Sequence, residues 1–329
     1  MGGVHTTATD DPVGGSKPFK SDISAEPIDP IVAWLSKFLA DRGAAKSASG
    51  IAGTPLPGVR TLQNLSYGWD GRMLNLYWSK QADRPMPVIV YYNSGTMFRR
   101  GRGAADSLCQ LMAARGFAVV NADIRPLSDS DAKGAIEDAA AVLNWIYDTK
   151  GEYGLDGGNV FAVGSSYGAL EALWTTLLAD TARLPEALGG GIPDVEVRSC
   201  GLLSPRTDMG EPGPMMRTVR RSLQSVGRKY PRLAEAIRLE TNHELNLLPD
   251  VFVQSGDADR SKRAADKLHG MLATNGVRCE YMFFDAADGL TEAFVERRPE
   301  LTQSVRVVSA MTRYFRDRLG GEDERITSS

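Results

Sequence analysis

The chain has 329 residues, of which 42% are hydrophobic and 24% are charged, and its formal net charge is −3. These are ordinary values for a globular protein that is long enough to bury a large core. The small negative charge gives no attraction to nucleic acid or acidic membranes. The sequence also contains no run of about 18 apolar residues, the length needed to span a bilayer.

The beginning of the chain is polar. Residues 1–25 are rich in glycine, threonine and aspartate, which predicts a disordered tail without an apolar signal segment. Residues 28–43 then carry apolar side chains at helical spacing, which predicts a first helix. We expect a single domain to occupy residues 26–329.

Strands and helices alternate through the rest of the chain. A hairpin that turns at Asp70 and Gly71 comes first, and continuous apolar runs of the buried parallel type follow. The predicted strands cover residues 61–69, 72–80, 86–94, 117–125, 158–166, 197–205, 251–257 and 278–285. The predicted helices cover residues 103–115, 132–151, 167–180, 261–275 and 304–319. This order predicts an α/β fold, in which helices cover both faces of a mainly parallel eight-stranded sheet.

One connection is longer than ordinary loops. Residues 205–247 separate two predicted strands and contain two weak helical stretches. We predict a small helical cap over the C-terminal edge of the sheet. Flexible thioethers adapt to irregular apolar ligands, which makes Met209, Met215 and Met216 candidates to line it, although core packing is an equal alternative for each.

A G-x-S-x-G motif stands between a predicted strand and a predicted helix. It reads Gly-Ser-Ser-Tyr-Gly over residues 164–168, with Ser166 at its centre. The flanking glycines permit a tight turn that raises the serine hydroxyl above the sheet. The helix N-terminus behind the serine favours developing negative charge. Ser166 is therefore the candidate nucleophile.

Taken together, these motifs resemble the α/β-hydrolase superfamily, and most closely its carboxylesterases similar to hormone-sensitive lipase and dienelactone hydrolase. The resemblance covers roughly residues 60–319. PVIVYYNSGTM (87–97) stands where those enzymes have a strand ending in His-Gly-Gly-Gly, and NADIR (121–125) matches the turn after their next strand. The resemblance implies the α/β-hydrolase fold and a Ser–Asp–His triad.

The resemblance also implies an oxyanion hole, a set of N–H groups that bind the negative oxygen of an ester intermediate. The donors would be the backbone N–H groups of Gly95, of Ser94 or Thr96, and of Tyr167. The family's glycine run keeps only one glycine here, since the segment reads Asn-Ser-Gly-Thr. Missing glycines can alter the path of this loop.

The acid and the base of the triad would follow the last two strands. The acid is Asp259, in the G-x-x-D turn that begins at Gly256. The family's histidine lies in a pattern like G-A-G-H-G-F, and the matching segment reads DAADGL (285–290), which puts Asp288 at the histidine position. The chain has only three histidines, and they are His5, His243 and His269. His243, near the end of the cap, is an alternative base.

The missing histidine decides the expected chemistry. Loss of one triad member slows serine hydrolases about 10⁴- to 10⁶-fold, which disfavours ordinary ester hydrolysis. If Asp288 lies beside Asp259, one carboxyl keeps a proton near neutrality and can act as general acid. We therefore expect elimination, dehydration or cyclisation of an acylated or carbonyl-bearing small molecule. Two alternatives stay open: a carboxylesterase that uses His243 or Asp288 as base, and a non-catalytic ligand-binding protein.

The sequence contains no motif for a metal or a cofactor. Its three cysteines, Cys109, Cys200 and Cys279, are sparse and far apart, which is typical of a reducing compartment. We expect a cytoplasmic protein whose partner is a small-molecule substrate. The pattern leaves the oligomeric state open.

Overall fold

A computed structural model describes residues 4–7, 55–68, 71–98, 101–191, 194–208 and 210–320. The helix predicted over residues 28–43 and most of the predicted tail lie outside these ranges. No helix within the described ranges is long and apolar enough to cross a membrane. The three cysteines are buried and carry free thiols.

Nine strands form one sheet among the described residues. They are β1 (Val4–Thr7), β2 (Val59–Ser66), β3 (Met73–Ser79), β4 (Met86–Tyr92), β5 (Ala118–Ala122), β6 (Leu155–Ser165), β7 (Val197–Leu203), β8 (Val251–Gly256) and β9 (Cys279–Phe284). Their order across the sheet is β1-β9-β8-β7-β6-β4-β5-β3-β2. Strands β4 to β9 run parallel to one another, whereas β1, β2 and β3 pair antiparallel. The eight predicted strands correspond to β2–β9, and this confirms the fold class.

The strand β1 is a difference from the prediction. Residues 1–25 were expected to be disordered as a whole, yet Val4 pairs antiparallel with Phe284 at the edge of the sheet. The prediction rested on the polar composition of the tail as a whole. Within it, the four-residue stretch Val-His-Thr-Thr has three β-branched residues, which favour a strand.

Helices cover both faces of the sheet. They are α1 (Asp106–Ala113), α2 (Ala132–Tyr153), α3 (Gly168–Asp180), α4 (Arg183–Leu188), α5 (Pro214–Lys229), α6 (Pro231–Ala236), α7 (Lys262–Thr274), α8 (Phe294–Arg297) and α9 (Thr302–Arg316). Alternate side chains of β4 enter two different cores, as the period of a strand requires. Val88 and Val90 belong to the core that also contains residues of α2, α3 and α7, and Ile89 and Tyr91 belong to the core that contains residues of α1, α8 and α9.

The parallel strands bring their carboxyl ends to one edge, where ligand sites of open α/β sheets form. The loops that follow β4, β6, β7, β8 and β9 meet at this edge. The long connection after β7 contains α5 and α6, and α5 packs against both α6 and α2. The division of the chain into one domain with a cap over 205–247 stays a prediction.

Candidate active site

Ser166 occupies a sharp turn between β6 and α3. Its φ is 53°, in the left-handed region that residues other than glycine seldom adopt. Two backbone hydrogen bonds hold the turn: the Ser166 N–H donates to the Leu203 carbonyl at 2.8 Å, and the Arg206 N–H donates to the Ser166 carbonyl at 3.0 Å. A residue that is kept in a strained backbone conformation by surrounding hydrogen bonds, as Ser166 is, is typical of a functional site.

The glycines on either side of the serine are required by close backbone packing. A Cβ atom on Gly164 would lie 2.0 Å from the carbonyl oxygen of Gly168. A Cβ atom on Gly168 would lie 2.3 Å from the carbonyl oxygen of Tyr92. Neither position accommodates a side chain, and the G-x-S-x-G motif therefore forms the strand–turn–helix elbow that the sequence predicts.

A cavity of about 510 Å³ opens above the elbow, and we call it the Ser166 cavity. The loops after β4, β6, β7, β8 and β9 all contribute to its walls. They supply, among others, Ser94, Ser166, Arg206, Ala258 and Glu292. The volume is in the range of small-molecule sites.

The serine hydroxyl is hydrogen-bonded to a glutamate. Ser166 Oγ donates to Glu292 Oε1 at 2.6 Å. Arg206 grips the same carboxylate at both oxygens, with Nε 2.9 Å from Oε1 and Nη2 2.8 Å from Oε2. The third guanidinium nitrogen, Nη1, forms an ion pair with Glu211. A bidentate arginine fixes the orientation of a carboxylate as well as its charge.

The surroundings keep Glu292 ionised. Burial raises the pKa of Glu292. Hydrogen bonds from Arg206 and Ser166, together with the charges of Arg206 and Arg297, lower the pKa by more than burial raises it. The net pKa lies below the ordinary glutamate value. At neutral pH the carboxylate is therefore able to accept a proton from the serine.

The structure does not place Asp288 against Ser166. Asp288 ends a 3₁₀ turn, Ala286–Asp288, that follows β9, and it is absent from the described residues that line the Ser166 cavity. Glu292, four positions later, has that contact instead. The prediction assumed that the base follows β9 at the same number of residues as in the family. Here the 3₁₀ turn Ala286–Asp288 lengthens the segment between β9 and the site, so a later residue reaches Ser166.

A signal for Glu292 was present in the sequence. The family pattern H-G-F has a match in Glu292-Ala293-Phe294, with glutamate in place of histidine. Ala293 has a φ of 57°, a conformation that suits the glycine of the pattern. Phe294 is buried, and its ring packs edge-on against Phe284, with the ring centroids 5.5 Å apart.

Asp259 is buried behind the glutamate. Its Oδ1 accepts hydrogen bonds from the Ser261 N–H at 2.7 Å and the Ser261 hydroxyl at 2.8 Å. Burial raises the pKa of Asp259, and hydrogen bonds from Ser204 and Ser261 offset this only in part. Ser204 Oγ also accepts the Ala293 N–H at 3.1 Å. Asp259 thus supports the loop that carries Glu292 and makes no hydrogen bond to Glu292 within the described chain.

The first predicted oxyanion donor is bound inside the protein. The Ser94 N–H donates to Glu296 Oε2 at 2.8 Å, and its hydroxyl donates to Glu296 Oε1 at 2.6 Å. Tyr91 Oη also donates to Glu296 Oε2, at 2.6 Å. Glu296 is buried in α8, so this carboxylate clamps the loop after β4 onto the helix.

The other two predicted loop donors are bound as well. The Gly95 N–H donates to Asn93 Oδ1 at 2.9 Å, and the Thr96 N–H donates to the Asn93 carbonyl at 3.2 Å. Only the Tyr167 N–H, among the four predicted donors, has no backbone or side-chain acceptor in the described part of the chain. The Ser94, Gly95 and Thr96 N–H groups are therefore all bound to acceptors within the protein.

No histidine with a described side chain lines the Ser166 cavity. His243 is exposed and follows a short 3₁₀ turn, Leu239–Thr241, and it is absent from the cavity wall. His269 is half-buried in α7, where its ring lies 5.1 Å from that of Tyr281. The alternative in which His243 reaches the serine from the cap has no support in this geometry.

The connection after β7 contributes to the cavity from above. Pro212, Gly213, Pro214 and Met215 all line it. This segment therefore lies at the same edge as Ser166, where a cap was expected. Met215 is 50% exposed, whereas Met216 is buried in the core. The third candidate, Met209, lies outside the described residues.

Comparison with known proteins gives a family match. A family model described as alpha/beta hydrolase fold matches residues 89–288, more than half of the chain. A carboxylesterase, NlhH of Mycobacterium tuberculosis, is 27% identical over 135 residues, which are 40% of this chain and 42% of that protein. A probable isoprenylcysteine alpha-carbonyl methylesterase of Oryza sativa is 26% identical over 111 residues, or 33% of this chain and 27% of that protein. The matches thus span less than half the length of these relatives.

Solved structures show the same fold. Esterase B from Lactobacillus rhamnosis, in an inhibited form, superposes with a TM-score of 0.73 at 22% sequence identity. The superposition covers 88% of this chain and 96% of that one.

Proposed function

The chain belongs to the alpha/beta-hydrolase fold family, and on that premise we propose that it hydrolyses carboxylic esters of small molecules. Ser166 is the proposed nucleophile, and Glu292 is the proposed base. The observation that carries the proposal is the 2.6 Å hydrogen bond from the serine hydroxyl to the glutamate carboxylate. A nucleophilic hydroxyl needs an acceptor for its proton at this distance.

The reaction follows from this contact. Ser166 Oγ attacks the ester carbonyl carbon while its proton passes to Glu292, and a tetrahedral intermediate forms. Glu292 then gives the proton to the departing alcohol, which leaves an acyl group on the serine. A water molecule, deprotonated by Glu292, attacks the acyl group, and the proton passes from Glu292 to Ser166 Oγ as the acid is released. Arg206 holds the carboxylate in line with the hydroxyl throughout.

The expected rate is low for two physical reasons. A carboxylate with a lowered pKa is a weaker base than an imidazole, so the serine is less activated. The N–H groups of Ser94, Gly95 and Thr96 are also bound inside the protein, and loss of one oxyanion donor costs about 10²- to 10³-fold in rate. Slow hydrolysis, limited to reactive esters, is what this site supports.

Elimination, dehydration or cyclisation has less support than hydrolysis. That chemistry relied on two aspartates sharing a proton, with Asp288 beside Asp259. The group that faces Ser166 is instead an ionised glutamate paired with Arg206, and it offers no proton at neutral pH. The similar proteins named above are a carboxylesterase, a probable methylesterase and an esterase.

A second candidate is a ligand-binding protein without catalytic turnover. The observation that favours it is the internal use of the Ser94, Gly95 and Thr96 N–H groups. A site that binds esters without stabilising a negative oxygen holds a ligand and does not cleave it. This candidate predicts binding in the Ser166 cavity with no effect of Ser166 on ester hydrolysis.

Turnover of p-nitrophenyl acetate and p-nitrophenyl butyrate distinguishes the two candidates. The wild-type protein is compared with Ser166→Ala, Glu292→Gln and the matched control Glu152→Gln, which alters an exposed carboxylate at the end of α2. Hydrolysis that falls to background in the first two variants and persists in the control supports the esterase. Equal rates in all four proteins contradict it and favour the binding protein.

A further inference from the structure

We propose that the preferred ester carries a carboxylate, and that Arg260 and Arg297 bind this group at the mouth of the Ser166 cavity. The inference rests on the proposed function and names the substrate class for the same site. The chain as a whole has a formal net charge of −3, so a local excess of positive charge at a cavity wall needs an explanation.

The charged groups on the cavity wall are unequal in number. Three arginines and one glutamate line it, namely Arg206, Arg260, Arg297 and Glu292. Arg206 is committed, because Glu292 and Glu211 occupy its guanidinium nitrogens. It is therefore not available to a ligand.

The other two arginines of the cavity wall differ from Arg206 in their ion pairing. Within the described ranges, no carboxylate forms a salt bridge with Arg260 or Arg297, whereas the exposed Arg278 and Arg298 each have one. Both side chains line the cavity and belong to exposed residues, so each is hydrated and free to reorient. Two guanidinium groups that line the same cavity without ion pairs can bind an anion there without prior loss of an internal ion pair.

The two arginines reach the cavity from different elements. Arg260 follows β8 and is adjacent to Asp259, whereas Arg297 ends α8. The charge of Arg297 contributes to the lowered pKa of Glu292, which places it within electrostatic reach of the base. An anion held between them would therefore sit beside the reacting ester group.

A carboxylate matches this arrangement best. The planar guanidinium presents two parallel N–H donors to the two oxygens of a carboxylate. Apolar groups of Pro212, Pro214 and Met215 line the same cavity and offer a wall for a short carbon chain. A short dicarboxylate monoester joins both features, with its ester group at Ser166 and its free carboxylate at the arginines.

The test uses Ser166→Ala protein, which binds esters without turnover. Equilibrium dialysis compares phenyl hemiglutarate, which has a free carboxylate on its acyl part, with the neutral phenyl pentanoate. A third probe, 4-(pentanoyloxy)benzoate, has its carboxylate on the alcohol part and shows which side the arginines recognise. We expect at least one charged probe to bind about tenfold more tightly than the neutral probe, as for a charge-assisted hydrogen-bonded pair.

Substitutions locate the preference. Arg260→Gln with Arg297→Gln should abolish it and leave the affinity for phenyl pentanoate within about twofold, because no neutral contact is lost. Arg228→Gln is the matched control, since it removes one exposed arginine of α5 that does not line the cavity. The preference should also weaken at high salt, because the groups are exposed.

Two results would overturn the inference: equal binding of the charged and neutral probes, or a preference that survives the double substitution. Because the binding measurement needs no catalysis, it fails independently of the proposed function. Charge-selective binding together with absent Ser166-dependent hydrolysis would retain the anion site and reject the esterase.

Discussion

Ser166 Oγ lies 2.6 Å from Glu292 Oε1, at the end of a chain of contacts that continues through Arg206 to Glu211. The serine therefore faces an acceptor that is ionised at neutral pH and that an arginine holds in place. A neutral imidazole would supply the stronger base, but it would lose its basicity as it protonates near pH 6.5. The carboxylate is a weaker base than an imidazole, but it stays ionised at a lower pH.

Replacement of the base gives the most direct test of the mechanism. Glu292→Gln keeps the size of the side chain and removes the proton acceptor, so the rate of p-nitrophenyl butyrate hydrolysis should fall about 10²- to 10⁴-fold. Glu152→Gln serves as the control and should leave the rate unchanged. A glutamine variant that retains full activity would show that Glu292 is not the base.

The pH profile should also identify the base as a carboxylate. Because the pKa of Glu292 is lowered, the ionised form persists as pH falls from 8 to about 5, and kcat/KM should stay level over that range. The rate should decline only at more acidic pH. A profile that declines between pH 7 and 6 would point to a histidine and contradict this assignment.

Arg206 is a positioning residue, and its loss should move the pH profile. In Arg206→Gln, the pKa of Glu292 is still raised by burial but loses the lowering effect of the arginine, so the acidic limb should shift to higher pH. The rate at neutral pH should drop about tenfold to a hundredfold, because the carboxylate is less well aligned. Arg206→Lys should restore part of the shift, since it returns the charge without the bidentate grip. An unmoved limb would assign Arg206 a structural role only.

Local patterns in the sequence predict most of the fold. Continuous apolar runs give β4 to β9 because parallel strands are buried on both faces, and the paired glycines give the elbow because only glycine fits its backbone contacts. The edge strand β1 was missed, since four residues of strand propensity are outweighed by the polar tail around them.

The candidate site was harder to predict because it depends on loops. The position of the base depends on how many residues the turn after β9 uses, and a 3₁₀ turn with Gly289 in the left-handed conformation moved it from Asp288 to Glu292. The internal binding of the Ser94 N–H required knowledge of α8, which is far away in sequence. Long-range contacts of this kind leave no local signal.

The clamp formed by Glu296 should contribute strongly to stability. Glu296→Ala leaves the buried Tyr91 hydroxyl and the Ser94 N–H without an acceptor, and each such group costs about 1–3 kcal/mol. Urea unfolding should show a loss of several kcal/mol. Glu296→Gln keeps one oxygen acceptor and should lose clearly less. Equal stability of the two variants would show that the hydrogen bonds of the clamp do not matter.

The buried carboxyl of Glu171 should make stability depend on pH. Glu171 lies in α3 with both oxygens unpartnered among the described residues, and burial, aided by Asp138, raises its pKa to about 8. The unfolded chain releases this proton above about pH 4.5, so stability should fall as pH rises towards 8 and level off beyond it. Glu171→Met removes this linkage, and the variant should gain a few kcal/mol over the wild type at pH 8 but little at pH 4.5. Urea unfolding at pH 4.5, 6, 7 and 8.5 measures the difference, with Glu152→Gln as the exposed control. A difference that does not change with pH would show that Glu171 keeps an ordinary pKa in the folded protein.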